Sequence, residues 1–281
     1  MTDLDAHDAP GRGAAYPPSW EDLIRGHYRR VATAFWFEFS RTLSPVRVSA
    51  MTLVALFPGL IMLLVRLQNG NWNDDIWVMA LYLLSTEATT LITLLLWVAP
   101  AVQVELERHT WTYLSVRPYG KITVLLGKYL SGVAWSVSVG QVGLLVAVIV
   151  IARDLQSPVR IPLILASLQV LATFAYGALF LAIGVLFPRR AMLICVGFTL
   201  LFEGVLSLLP AVVNQLTVQH RLLNLLWSWM ESGPPSAEFE RLLGEQPPEV
   251  HLLCLAGYTA SMLTIALVGI RRREYLHQVE S

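Results

Sequence analysis

The chain has 281 residues, of which 55% are hydrophobic and 14% charged, with lysines and arginines equal in number to aspartates and glutamates. A soluble domain is about 45–50% apolar and about 25% charged, so an ordinary soluble core is excluded. The zero net charge gives no electrostatic footprint for nucleic acid, and no RNP, zinc-finger or helix-turn-helix pattern occurs.

Residues 1–19 are rich in Asp, Ala, Gly and Pro without a period, and read as a disordered tail. Over 20–47, Trp20, Leu23, Ile24, Tyr28, Val31, Phe35 and Phe39 recur at helical spacing beside Arg25, Arg29, Arg30 and Arg41. That pattern predicts an amphipathic basic helix suited to the headgroup layer; the alternative is a solvated helix packed on the rest of the protein. The first apolar block starts near Val48, too far along the chain for a cleaved secretory signal.

The apolar residues gather in blocks of about twenty, the length of helix that crosses a bilayer. Six spans are expected, at about Val48–Leu67 (interrupted by Pro58-Gly59), Ile76–Val104, Tyr129–Ile151, Ile161–Phe187, Ala191–Val213 and His251–Ile270. The second would be about 43 Å long, so it must tilt or project beyond a hydrocarbon core of about 30 Å. With the N-terminus inside, 15 of the 20 lysines and arginines fall on inner segments and 5 on outer ones. The positive-inside bias therefore places both termini in the cytoplasm. Trp72 and Trp77 flank the outer end of the second span as an aromatic belt would. The expected fold is all-α and polytopic: six transmembrane helices over 48–273, an interfacial helix before them, and a short cytoplasmic tail at 274–281.

Two connections are long. The inner one, 105–128, alternates acids, bases and apolar residues at helical spacing up to Pro118, which should end that helix. It reads as a short amphipathic cytosolic helix that needs a partner surface or the headgroup layer. The outer one, 214–250, contains Leu222–Trp229, too short to cross and read as a re-entrant or interfacial helix. Small residues recur at interface spacing: Ala178 with Ala182, Ala256 with Ala260, Gly257 with Ser261, and Gly132, Gly140 and Gly143. They let helices approach closely, either within the chain or at a dimer seam. Cys195 and Cys254 both lie in apolar blocks and read as buried free thiols.

The ordered set Glu105, Glu107, Thr110, Leu114, Pro118, Gly127 and Lys128 resembles the first cytosolic loop of the permease subunits of type-2 ABC transporters. Their pattern is close to E-x-E-x-G-T-x-x-x-L-x-x-x-P followed by G-K. His109 stands where that family has glycine. The resemblance extends over most of residues 20–273, through the basic amphipathic helix, the six spans and the interrupted outer segment. It implies a permease subunit of an exporter in the cell inner membrane, paired as a homodimer or heterodimer. A separate cytosolic ATPase subunit would bind the ATP and Mg, and Glu105, Glu107, Thr110, Leu114 and Pro118 would form the ATPase-coupling contact.

The chain carries no P-loop of its own, because neither Gly120-Lys121 nor Gly127-Lys128 is followed by Ser or Thr or preceded by the leading glycine. Nor does it show metal-ligand spacing among its six histidines or a G-x-S-x-G nucleophile. Neither catalysis nor a bound cofactor is expected of it. Glu87 and Glu203 are the acids well inside the spans, each near the midplane by helical rise. An acid there faces a cavity or a partner. With Gln141 they are candidates for a substrate pathway; the alternative is a protonated glutamate bonded to Ser85, Thr89 or Thr199. A second class of function, an ion-coupled carrier using the two glutamates, predicts an inverted repeat with matching broken helices. Span four shows no break to match Pro58-Gly59.

Overall fold

The computed structural model describes residues 20–68, 74–107, 120–153, 155, 157–201, 217–230 and 246–272; the side chains of 20–25, 27 and 106 are outside that description. The described residues are almost all helical. In chain order they are α1 (Trp20–Thr42), α2 (Pro45–Leu67), α3 (Asp74–Leu81), a π-helical segment (Tyr82–Ala88), α4 (Thr89–Trp97) and α5 (Ala101–Glu107). Then come α6 (Gly120–Ile151), α7 (Arg160–Leu186), α8 (Ala191–Phe198), α9 (Val218–Met230) and α10 (Pro248–Arg272).

Among the described residues, five helical stretches are long and apolar enough to cross a bilayer: Pro45–Leu67, Asp74–Glu105, Gly120–Ile151, Arg160–Leu186 and Pro248–Arg272. The outward faces of these helices carry many exposed large apolar side chains, among them Leu53 at 74% and Leu253 at 72% exposure. Apolar surface on that scale needs a lipid cover. The chain is an all-α, multi-pass membrane protein. The expected fifth span, 191–213, is described only as the apolar helix Ala191–Leu201; its remainder lies outside the described residues.

α7 is the hub of the bundle. Of its apolar window 78% is buried, against 28% for α2 and 17% for α10, which sit on the periphery. α6 lies between α7 and the pair α1 and α2, while α9 and α10 cover the other side of α7. Glycines set these spacings. A Cβ on Gly184 of α7 would stand 2.8 Å from the Ala99 carbonyl oxygen, and one on Gly143 of α6 would stand 3.0 Å from that of Ala55. The small residues of α6 and the pair Ala178 and Ala182 are thus consumed by packing within the chain. Those of α10 (Ala256, Gly257, Ala260 and Ser261) face outward.

Two expectations change. α2 is not interrupted: it runs from Pro45 to Leu67 with Pro58 inside. Proline is tolerated within a membrane helix because neighbouring groups re-satisfy the freed backbone, and α6 closes on this point through Gly143, 3.6 Å from the Pro58 ring by the same Cβ measure. The irregularity lies instead in the second span, which passes through the π-helical turn and a non-helical step at Val98–Pro100. Cys195 is buried as expected, but Cys254 is exposed, because α10 buries only a narrow stripe.

Candidate functional site

Two polar centres stand out along the second span, one at its Glu105 end and one near its middle. The first is at the end of the bundle that the charge bias assigns to the cytoplasm. Lys128 is only 9% exposed. Its ammonium sits 2.8 Å from Glu105 at the start of the inner connection and 3.4 Å from Glu38 of α1. Glu38 in turn lies 3.5 Å from Arg41. An isolated buried ammonium would be strongly disfavoured; two carboxylates and a second cation make a four-membered cluster of zero net charge. Three elements meet on one side chain: α1, α5 and α6.

Sequence places each member. Gly127 precedes Lys128 and allows α1 to come close, since a Cβ there would lie 2.8 Å from the Ala34 Cβ and 3.0 Å from its carbonyl carbon. Two turns further along α6, Phe39 stacks on Trp135 with ring centroids 4.7 Å apart, fixing α1 across α6. Outside this contact α1 exposes Tyr28, Trp36 and Phe37. The amphipathic rings of Tyr28 and Trp36 suit a membrane interface.

Of the residues that sequence assigns to ATPase coupling, Glu105 is buried and turned inward onto Lys128. Glu107, two residues on, is exposed and accepts a hydrogen bond from the Gln103 side-chain amide at 2.8 Å. Thr110, Leu114 and Pro118 lie outside the described residues. Glu105 therefore cannot act as a surface contact itself; it braces the helix that leads to the loop. Glu38 is the partner that motif reading missed. Its signal was the single carboxylate in the aromatic and basic stretch 25–42 of α1.

The second centre is within the bundle. Glu87 lies on the π-helical segment, about 20 Å along the helix from Asp74, and is 7% exposed. A π turn shifts the following side chains around the axis, and such turns recur at functional positions. Here it directs Ser85, Thr86 and Glu87 into the interior. Glu87 accepts a hydrogen bond at 3.0 Å from the Gln219 side chain at the start of α9. Thr217 begins that helix by accepting the His220 amide at 3.2 Å, a side-chain N-cap. At the other end of α9 the Trp229 carbonyl accepts from Arg160, at the start of α7, at 3.1 Å. The helix thus runs from the depth of Glu87 to the end of the bundle where α7 begins. It is buried along most of its length, and its positive N-terminal end lies toward the carboxylate.

Between the two centres the helices are held by polar contacts. Thr93 and Ser136 hydroxyls meet at 2.6 Å, the Gln169 amide reaches the Ser136 carbonyl at 3.5 Å, and Tyr129 donates to the Phe174 carbonyl at 3.0 Å. Gln141 belongs to this packing set: it donates to the Ala166 carbonyl of α7 at 3.0 Å. It lines an outer groove between α6 and α7 and is not brought to Glu87. Glu203 lies outside the described residues. Gln219 was not singled out in sequence; its signal was an amide just ahead of the apolar run LLNLLWSW. Among the described residues no cluster of His, Cys, Asp and Glu could hold a metal ion.

Compared with known proteins, the chain matches no family model and no curated protein.

Proposed function

We propose that this chain is the membrane-spanning permease subunit of an ABC exporter, driven by a separate cytosolic ATPase subunit that binds ATP and Mg. The observation that carries this reading is the cluster at Lys128. In such a machine, force applied outside the membrane must enter the spans through a stiff joint. The joint here ties α1 and the root of the 105–128 connection to the long helix α6. A push on the connection therefore moves α6, and through its packing α7. Glu107 and the following residues Thr110, Leu114 and Pro118 form the docking contact; Glu105 transmits from behind it. The permease acts as a homodimer or heterodimer in the inner membrane with both termini cytoplasmic. Glu87, with Glu203, contributes to the substrate pathway.

The test is copurification in mild detergent from the native host. A stoichiometric ATPase subunit is expected, and Leu114→Asp or a deletion of 108–118 should release it. Recovery of the chain alone in transport-competent vesicles would refute the proposal. One observation favours a second reading, an ion-coupled carrier: Glu87 faces the buried start of a re-entrant helix, the kind of place where carriers bind ions. The two readings part in vesicles containing only this chain. A carrier would move cargo with an imposed proton gradient and without ATP, whereas the permease would not. Glu87→Gln and Glu203→Gln should leave expression intact and alter substrate-stimulated ATPase of the assembled transporter.

A further inference from the structure

Beside the Lys128 cluster a cleft of about 300 Å³ opens between α1, α2, α4, α5 and α6. We infer that it is a binding site for one anionic phospholipid, with the phosphate between Arg41 and Arg47 and an acyl chain along Leu96 and Trp97.

Charge comes first. The cleft is lined by Arg41, Arg47, Lys128 and Glu38. Glu105 stands directly behind Lys128. Three cations against two carboxylates leave one positive charge. It is localised: Lys128 and Arg41 are spoken for by Glu105 and Glu38, while Arg47 has no ion pair among the described residues. A phosphodiester carries one negative charge, and Arg presents the planar fork that matches phosphate oxygens.

Depth comes second. Lys128 lies 23 residues from Ile151, the far end of α6, which is about 35 Å of helix. That exceeds the hydrocarbon core of about 30 Å, so with Ile151 at the far boundary and the helix near the membrane normal the cleft is level with phosphate groups rather than acyl chains. This holds whichever way the protein faces.

Shape comes third. The wall running from the charged end is apolar, and Leu96 is 42% exposed on the outer surface of the bundle. The cleft therefore continues sideways onto the lipid-facing surface, as a lipid needs and a free phosphate does not. The occupant would touch α1, α2 and α4 beside the Lys128 cluster and so bear on the same joint as the coupling contact, but its binding does not depend on the function proposed above.

The experiment is a thermal-unfolding titration of the detergent-purified full chain with dioleoylphosphatidylglycerol, dioleoylphosphatidylcholine and glycerol 3-phosphate. Phosphatidylglycerol should raise the melting temperature saturably, and the other two should not at equal concentration. Arg47→Gln should weaken the apparent affinity about five-fold. Arg47→Lys should keep most of it, showing that charge rather than folding is at issue, and Arg190→Gln, on an exposed turn away from the cleft, should leave it unchanged. Equal shifts with phosphatidylcholine, an unaltered titration for Arg47→Gln, or a loss as large for Arg190→Gln would overturn the inference. An equal shift with glycerol 3-phosphate would overturn the lipid as occupant in favour of a soluble phosphate.

Discussion

Replacing Lys128 by methionine removes the ammonium and keeps a stem of similar length. Glu105 stays buried at 7% exposure but loses a cation 2.8 Å away, whereas Glu38 keeps Arg41 at 3.5 Å. At an effective dielectric of about 20, unit charges 2.8 Å apart attract by about 6 kcal/mol. Most of that offsets the desolvation of the two ions, so the intact pair contributes little net stability. What the variant reveals is the loss of this cation from a buried carboxylate; removing one partner of a buried pair costs up to about 3–5 kcal/mol. Side-chain exposures of 8% and 9% leave little water to screen the pair. The assay is thermal unfolding in detergent for Lys128→Met, Glu105→Gln and the double variant. Lys128→Met should be the least stable. The double variant should recover at least half of the loss, because a neutral amide no longer needs a counter-ion. If Lys128→Met melts with the parent, or if the two single effects simply add, the cluster is not the joint argued above.

Other outcomes follow from the packing. Gly184→Ala should destabilise by about 1–3 kcal/mol, because its Cβ would meet the Ala99 backbone oxygen, which cannot step aside. Gly257→Ala meets nothing within 4 Å and should be neutral or stabilising by up to about 1 kcal/mol through helix propensity; a marked loss of stability or of dimer on size-exclusion chromatography would instead place α10 in a subunit seam. Gly127→Leu should lift α1 off α6, readable as faster proteolysis at residues 20–42 with the spans still protected. Glu87→Leu leaves the Gln219 amide without this acceptor and should cost about 1–3 kcal/mol, while Glu87→Gln should cost less; equal melting of the two variants would show that the contact at 3.0 Å carries no weight.

Composition and block length alone determined the class of this protein. A chain with so few charges, gathered apolar residues and basic ends can satisfy its backbone in lipid only as helices, and the ends of the first, third, fourth and sixth spans fall within several residues of those observed, apart from the N-terminal start of the third. α6 begins at Gly120 rather than Tyr129, because Lys121 and Lys128 look like span limits in sequence although the latter is neutralised and buried. Periodicity could mark α1 as amphipathic, yet not say that Glu38 turns inward. A carboxylate's partner is fixed by three-dimensional approach, here through Gly127 and the Phe39–Trp135 stack. The same reason hid Gln219. Its meeting with Glu87 spans 132 positions of chain and exists only because α9 enters the bundle. Local sequence carries the cost of burying each polar group; the fold alone decides which other group relieves it.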